Sequence, residues 1–407
     1  MPNNRTAHNP LALAGFRVLE IGTGPALAYA GKLFADFGAE VIKLEDEAGD
    51  ALRHFPPVLE TNRTETQSAL NAWLNTNKRS ATLRSNSPQE TAWLARLAQS
   101  CDLVLDARAL TQGLGVLQNP VFGARDDQRA PIEVCLTWFG EDGPYANYQG
   151  SEAVCRAMAG AVFGSGEAEG PPHMPHDVQT GIVAGIAAFS CALAALLGQA
   201  DGSRRYVISI HETAFSVVEM EAGMVQDQRH PLARLGVNRF CNTHPGGIYR
   251  TQEGWICLFA HTLPQWAALC QAMGLPQFAS DARFESGPLR MQHADEIDGF
   301  LQPALLGKTA QEWFELLTQA KFPAVLVPTM AELLQQQVHR ERGAFVPVRT
   351  STAQFEGVAA PYPLGDAGPL AGGTVPAKGA DDAHYRSAAA LGPSKALPKA
   401  AKGLAPL

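Results

Sequence analysis

Apolar and polar positions switch between two periods over the first 210 residues. Phe16 to Ile21 (FRVLEI) is a short apolar run, and Gly22-Thr23-Gly24-Pro25 breaks it. From Ala26 onward, Leu27, Ala30, Phe34 and Phe37 keep helical spacing, and Gly38 suits a helix end. Glu40 to Glu45 (EVIKLE) reads as a second strand. Ser87-Pro88-Gln89-Glu90 predicts a capping box ahead of a helix whose buried stripe is Trp93, Leu94 and Leu97. Asp102 to Leu105, Ile132 to Trp138 and Arg205 to Ile210 read as further strands. Strands alternating with helices predict an α/β fold, Rossmann-like and doubly wound, with a parallel sheet covered on both faces.

Gly181 to Ala200 carries no charge over 20 residues, which raises the question of a membrane span. Its apolar residues are mainly Ala and Gly, which suit close packing, and Asp201, Arg204 and Arg205 follow at once. A buried core helix, and no membrane, is the expectation. Between 225 and 335 the composition shifts to clustered aromatics and polar loops. Thr309-Ala310-Gln311-Glu312 predicts a capping box before Trp313, Phe314 and Leu317, and Thr262 to Gln265 repeats the signal before Trp266 and Leu269. This stretch is expected to form a smaller second domain. From Gly365 the chain is rich in Ala, Gly, Pro and Lys and reads as a loosely held tail.

Composition narrows the function. Of 407 residues, 46% are apolar and 18% charged, which fits a globular chain long enough for two cores. Lys and Arg number 32 against 40 Asp and Glu, a formal charge of −8, and no basic stripe marks a nucleic-acid surface. The seven cysteines form no Cys-x-x-Cys pair. That pattern argues against a disulfide framework or zinc knuckle and for reduced thiols in a cytoplasmic protein. Met1 to Pro10 is polar and gives no sign of secretion.

Val18 to Ala26 (VLEIGTGPA) resembles the first motif of S-adenosylmethionine-dependent methyltransferases, with Glu45 where such enzymes hold a ribose. Ala26 stands where that motif has its third glycine, and Leu27 where a dinucleotide fingerprint has one. A strand-to-helix turn needs glycine in any doubly wound fold, so a simple tight turn is the competing reading.

A longer set of segments points elsewhere. Leu13 to Glu20, Ala35 to Glu45, Gly49-Asp50 with Arg53, Asn77-Lys78-Arg79-Ser80 and Gly140-Glu141-Asp142-Gly143-Pro144-Tyr145 follow one another in order. Gly254-Trp255, Gln265-Trp266, Trp313 and Arg342-Gly343 come later. Together, over residues 13 to 350, they resemble the class III CoA-transferases, a family that also holds alpha-methylacyl-CoA racemase. The resemblance implies acyl-CoA and a small carboxylic acid as substrates, coenzyme A as the carrier, no metal, and an interlocked homodimer. It also implies a Rossmann-like large domain from 1–205 plus 335–407, built from both termini, with a smaller inserted α+β domain at 225–330.

It also implies one covalent aspartate, after a Gly-Pro-Pro loop and ahead of the Ala-rich helix. That position is Asp177, in Gly170-Pro171-Pro172-His173-Met174-Pro175-His176-Asp177. Read from the residues alone, Asp177 is a natural helix N-cap; an ionised carboxylate there is also able to attack a thioester. The resemblance places CoA on the turn Thr23, Gly24, Pro25 and Ala26, with Arg53, Lys78 and Arg79 near its phosphates. Racemases of the family use a His beside an acidic residue, where this chain has Ser151 and Glu152; His173, His176 and His244 are the possible substitutes. Transfer is therefore the leading reading, with racemisation, methyl transfer and CoA binding without catalysis as alternatives.

Overall fold

The computed structural model describes residues 11–59, 67–85, 87–110, 130–160, 162–175, 178–198, 205–218, 223, 226, 234–239, 243–364, 368–387 and 391–392. The chain divides into two compact units, one of 1–159, 176–218 and 338–407, the other of 160–175 and 219–337.

The first unit is built on a parallel sheet of β1 (Arg17–Gly22), β2 (Glu40–Glu45), β5 (Arg79–Thr82), β6 (Leu103–Ala107), β7 (Ile132–Thr137) and β8 (Arg205–Ser209). β3 (Val58–Leu59) and β4 (Gln67–Ser68) form a separate ribbon leading into helix α2 (Ala69–Leu74). The large sheet runs β5-β2-β1-β6-β7-β8, with every pair parallel. Alternation of side chains splits its apolar strands into two cores. Val18, Val41, Leu103 and Val134 pack under α1 (Pro25–Asp36) and α5 (Gln179–Leu197). Leu19, Ile42, Leu44 and Val104 pack under α3 (Pro88–Gln99).

Helix α1 is buried from Ala26 to Asp36 because α5 lies on its outer side. The approach is close: a Cβ on Gly185 would sit 2.8 Å from the Ala26 carbonyl oxygen. The Lys32–Asp36 pair inside this layer is 2.9 Å long. Helix α5 is buried on one face. That face carries the small residues Gly181, Ala184, Gly185 and Ala188 together with Phe189, while Leu197 is 83% exposed. By length and composition alone this helix could cross a membrane; its buried face instead serves α1.

Two local expectations need correction. Ser87 Oγ caps α3 by accepting from Glu90 N–H at 3.3 Å, yet the reciprocal half of the capping box is absent. Glu90 instead accepts from Arg84 N–H and pairs with Arg386. The C-terminal stretch is also no loose tail as far as it is described. Helical residues Asp382–Tyr385 lie beside edge strand β5. Asp381 and Asp382 accept from Ser80 and Thr82 N–H at 2.9 and 2.6 Å, so carboxylates cover a free sheet edge. Tyr385 is 1% exposed, and its carbonyl receives Trp93 Nε1–H.

The second unit is α+β. β9 (Gly246–Arg250), β10 (Trp255–Phe259) and β11 (Ala324–Leu326) form an antiparallel sheet in the order β11-β10-β9. Trp266, Leu269, Ile297, Leu301, Trp313 and Leu317 fill its core. Both capping boxes, Thr262 with Gln265 and Thr309 with Glu312, are complete. A further small sheet in the first unit joins β12 (Phe345–Arg349), β13 (Gln354–Val358) and β14 (Gly373–Thr374).

Candidate active site

Strand order locates the site. β1 has β2 on one side and β6 on the other, so the chain winds outward in both directions from the gap between β1 and β6. Ligands of doubly wound folds bind at the carboxyl ends of the strands at such a switch point. Here that point is the turn from Gly22 to Ala26. Gly22 has φ +111°, and a Cβ on it would lie 2.8 Å from the carbonyl carbon of Ala107 at the end of β6. Only glycine fits there. Gly24, φ +115°, caps α1 without a side chain, and Pro25 begins the helix. The first peptide N–H groups of α1 therefore have no side-chain cap on Gly24.

The N-terminus of α5 meets the same turn. A Cβ on Gly181 would lie 3.0 Å from Pro25 Cβ and 3.3 Å from Ala26 N. Gly181 N–H donates to Glu152 Oε2 at 3.0 Å, so the carboxylate serving α5 comes from α4 (Glu152–Met158). The cap residue of α5 is Val178. Asp177 itself, like His176, lies outside the described residues.

Behind the turn runs a chain of buried charges. The Thr23 hydroxyl donates to Asp50 Oδ1. Asp50 Oδ2 contacts Lys43 Nζ at 2.6 Å, and Lys43 reaches Glu20 at 2.8 Å. Glu20 meets Lys78 at 2.6 Å. Signs alternate, and Asp50, Lys43, Glu20 and Lys78 all have side chains at most 1% exposed. Burial pushes the Asp50 carboxyl up, but Lys43 and the Thr23 hydrogen bond hold it below its ordinary value.

This chain changes the role of Lys78. Its three N–H groups go to Glu20, the Ala28 carbonyl and Asn75 Oδ1, at 2.6, 2.8 and 2.8 Å. No donor is left for a phosphate. Burial pushes the ammonium down to about 8, against the pull of Glu20. Arg53 grips Glu45 with two 2.6 Å bonds and keeps a partly exposed edge. Arg79 is exposed, with one 3.4 Å contact to Asp381. The methyltransferase alternative loses its acids as well, since Glu20 is held by two lysines and Glu45 by Arg53. His244 is fully buried against Asp298 at 2.8 Å, and His173 is exposed.

Asp106, Glu133 and Cys135 bring ligand atoms within 4.8 Å of one another. Both carboxylates face arginines, Asp106 meeting Arg108 and Glu133 meeting Arg205.

Glu45 gives a pH expectation. Burial pushes its carboxyl up, but the Arg53 hydrogen bonds and the Lys43 charge overcome this and hold it at about 2. Unfolded, the group returns to its ordinary 4.5. The unfolded chain therefore takes up the proton first as pH falls. The stabilisation is complete above pH 4.5 and is lost towards pH 2. Urea unfolding across that window should show a shallower pH slope for Glu45→Gln than for wild type; equal slopes would refute the assignment.

Comparison with known proteins then decides the chemistry. The model of CoA-transferase family III matches residues 13–382. The chain belongs to this family. It is 31% identical over 340 residues to the succinyl-CoA–D-citramalate CoA-transferase of Chloroflexus aurantiacus, covering 80% of each chain. It is 26% identical over 354 residues to the succinate–glutarate CoA-transferase of Agrobacterium fabrum, covering 84% of this chain and 85% of that one. The crystal structure of a CAIB/BAIF family protein from Brucella suis superposes with a TM-score of 0.80 at 21% identity. That structure is matched over 94% of this chain and 100% of the other, and it speaks for the fold. This family III protein is thus a CoA-transferase that uses coenzyme A as substrate.

Glu152 and Asp50 are the site residues whose roles sequence reasoning missed. Asp50 stood in a family segment beside Gly49, which needs glycine at φ +86°. Glu152 stood where racemases carry their acid. Neither signal told which backbone group the carboxylate would meet.

Proposed function

We propose that the enzyme moves CoA from an acyl-CoA donor to a carboxylic acid acceptor through covalent intermediates on Asp177. The observation that carries this reading is the seating of the α5 N-terminus, just after Asp177 in sequence, on the Gly22–Ala26 turn at the switch point. A carboxylate oxygen of Asp177 attacks the thioester carbonyl, the C–S bond breaks, and CoA leaves as thiolate with an acyl-aspartyl anhydride behind it. The thiolate attacks the aspartyl carbonyl, releasing the donor acid and leaving an aspartyl-CoA thioester. The acceptor carboxylate then repeats the exchange in reverse and regains Asp177. Charge is conserved throughout, with no proton to place. Uncapped peptide N–H groups at the α1 terminus suit the oxyanions that develop. The named activities of the relatives support carboxylic acids on both sides of the exchange. Incubating the enzyme with single acyl-CoAs and a panel of isotopically labelled free acids tests it. Labelled acyl-CoA is expected; hydrolysis alone, or epimerisation without exchange, would overturn it.

A homodimer in the cytoplasm belongs to the same reading. It is supported by the outward apolar residues Ile186, Leu197, Val207 and Phe215 of the first unit and by six free cysteines among the described residues. Sedimentation at nanomolar concentration should show a dimer, and unfolding inseparable from dissociation. A stable folded monomer there would refute it.

A further inference from the structure

Helix α4 carries two charges one turn apart, Glu152 and Arg156, and their i,i+4 spacing sets both on one face. Both reach the first turn of α5. Glu152 Oε2 accepts from Gly181 N–H at 3.0 Å, and Arg156 Nε donates to Thr180 Oγ1 at 3.4 Å. Thr180 follows Asp177 by three residues.

Arg156 is 7% exposed and Thr180 6%. A guanidinium keeps its proton in any protein setting, so burying one is costly unless anions face it. Two carboxylates belong to this helix end, Glu152 in the fold and Asp177 just ahead of α5 in sequence. Like charges brought together raise the proton affinity of one of them, and a protonated Asp177 has no anionic oxygen with which to attack. The helix terminus contributes roughly half a positive charge, which offsets the repulsion only in part. Arg156 supplies a full one.

Charged groups on the other elements around α4 and α5 have their own settings. Lys32 pairs with Asp36 in α1, and Glu133 of β7 with Arg205 of β8. Asp50, behind the Gly22–Ala26 turn, is held by Lys43 and Thr23. In α6 (Ile210–Phe215), His211 lies against the rings of Phe139 and Phe215, and Glu212 is exposed. Burial pushes up Tyr29 and the thiols of Cys135, Cys155 and Cys191, so these stay neutral.

We propose that Arg156 is a positioning residue of the transfer reaction, its buried guanidinium balancing Glu152 and keeping Asp177 ionised at the start of α5. This role rests on the reading of Asp177 as nucleophile.

Adduct formation with acyl-CoA, without an acceptor acid, isolates the first step, and rapid quench with intact mass spectrometry follows it. Its rate against pH is compared for wild type, Arg156→Gln, Arg156→Lys and Glu152→Gln, each checked for folding by its melting curve. Titration of the CoA phosphates is common to all four. Arg156→Gln should move the acidic limb up by about one pH unit, the lower end of what an adjacent opposite charge does to a carboxylate. Arg156→Lys keeps the charge and should keep the limb near its wild-type position. Glu152→Gln removes the like charge and should move the limb down; it decides the matter if Arg156→Gln does not fold. A folded Arg156→Gln that is slower at every pH with its limb unmoved would overturn the role and leave Arg156 a packing residue. An unmoved limb in Glu152→Gln would overturn it equally. Asp177→Asn, run alongside, should form no adduct. With Asp177→Asn inert, an unmoved limb sinks the role of Arg156 and leaves the nucleophile reading standing. An adduct formed by Asp177→Asn would overturn that reading, and the role of Arg156 with it.

Discussion

Asp177→Asn should yield a folded protein whose CoA transfer is lower by several orders of magnitude. The substitution removes the anionic oxygen that attacks the thioester and keeps the side chain's size. Stability should change by no more than about 1 kcal/mol, because Asn and Asp cap helices about equally well. The fold strengthens that expectation. The cap residue of α5 is Val178, and the carboxylate that receives a first-turn N–H of this helix is Glu152. Denaturant unfolding and a labelled exchange assay on the same sample separate the two roles. Wild type incubated with acyl-CoA and hydroxylamine should carry a hydroxamate on the peptide containing Asp177. Near-normal transfer by an Asp177→Asn sample free of deamidated protein would sink the mechanism.

The order of β1, α1, β2, α3 and β6 was legible because each is set by local period, with Gly or Pro marking an end of all but β6. So were the second unit's capped helices, where Thr309 and Glu312, with only two residues between them, find each other. What was illegible depends on partners distant in sequence. Asp381 and Asp382 cover β5 across some 300 residues, and nothing in an Ala- and Pro-rich stretch announces that task. Glu90 had a local partner in the Ser87 N–H and was drawn instead to Arg386. The turn at Gly22–Ala26 was legible as a turn. That Gly22 must clear Ala107 is a property of β6 lying beside β1, which no spacing shows.

Lys78 is the sharpest case, since the family resemblance of Asn77-Lys78-Arg79-Ser80 set both of its cations near the CoA phosphates. The positive φ of Asn77, 65°, precedes strand β5, and the two cations diverge. Arg79 is exposed, and Lys78 is in the core on Glu20. Lys78→Ala should therefore act on folding first. It leaves Glu20 buried with Lys43 alone, and breaking a buried pair from one side costs about 3–5 kcal/mol. It also strips a donor from the Ala28 carbonyl in α1. Arg79→Ala, at an exposed site, should shift stability by no more than about 0.5 kcal/mol. Urea unfolding of both variants measures the contrast. Adding Glu20→Gln to a Lys78→Met background should recover part of the loss, because the stranded charge is gone. A Lys78→Ala protein as stable as wild type, with a raised Michaelis constant for acyl-CoA, would return Lys78 to the phosphate role and refute the buried pair.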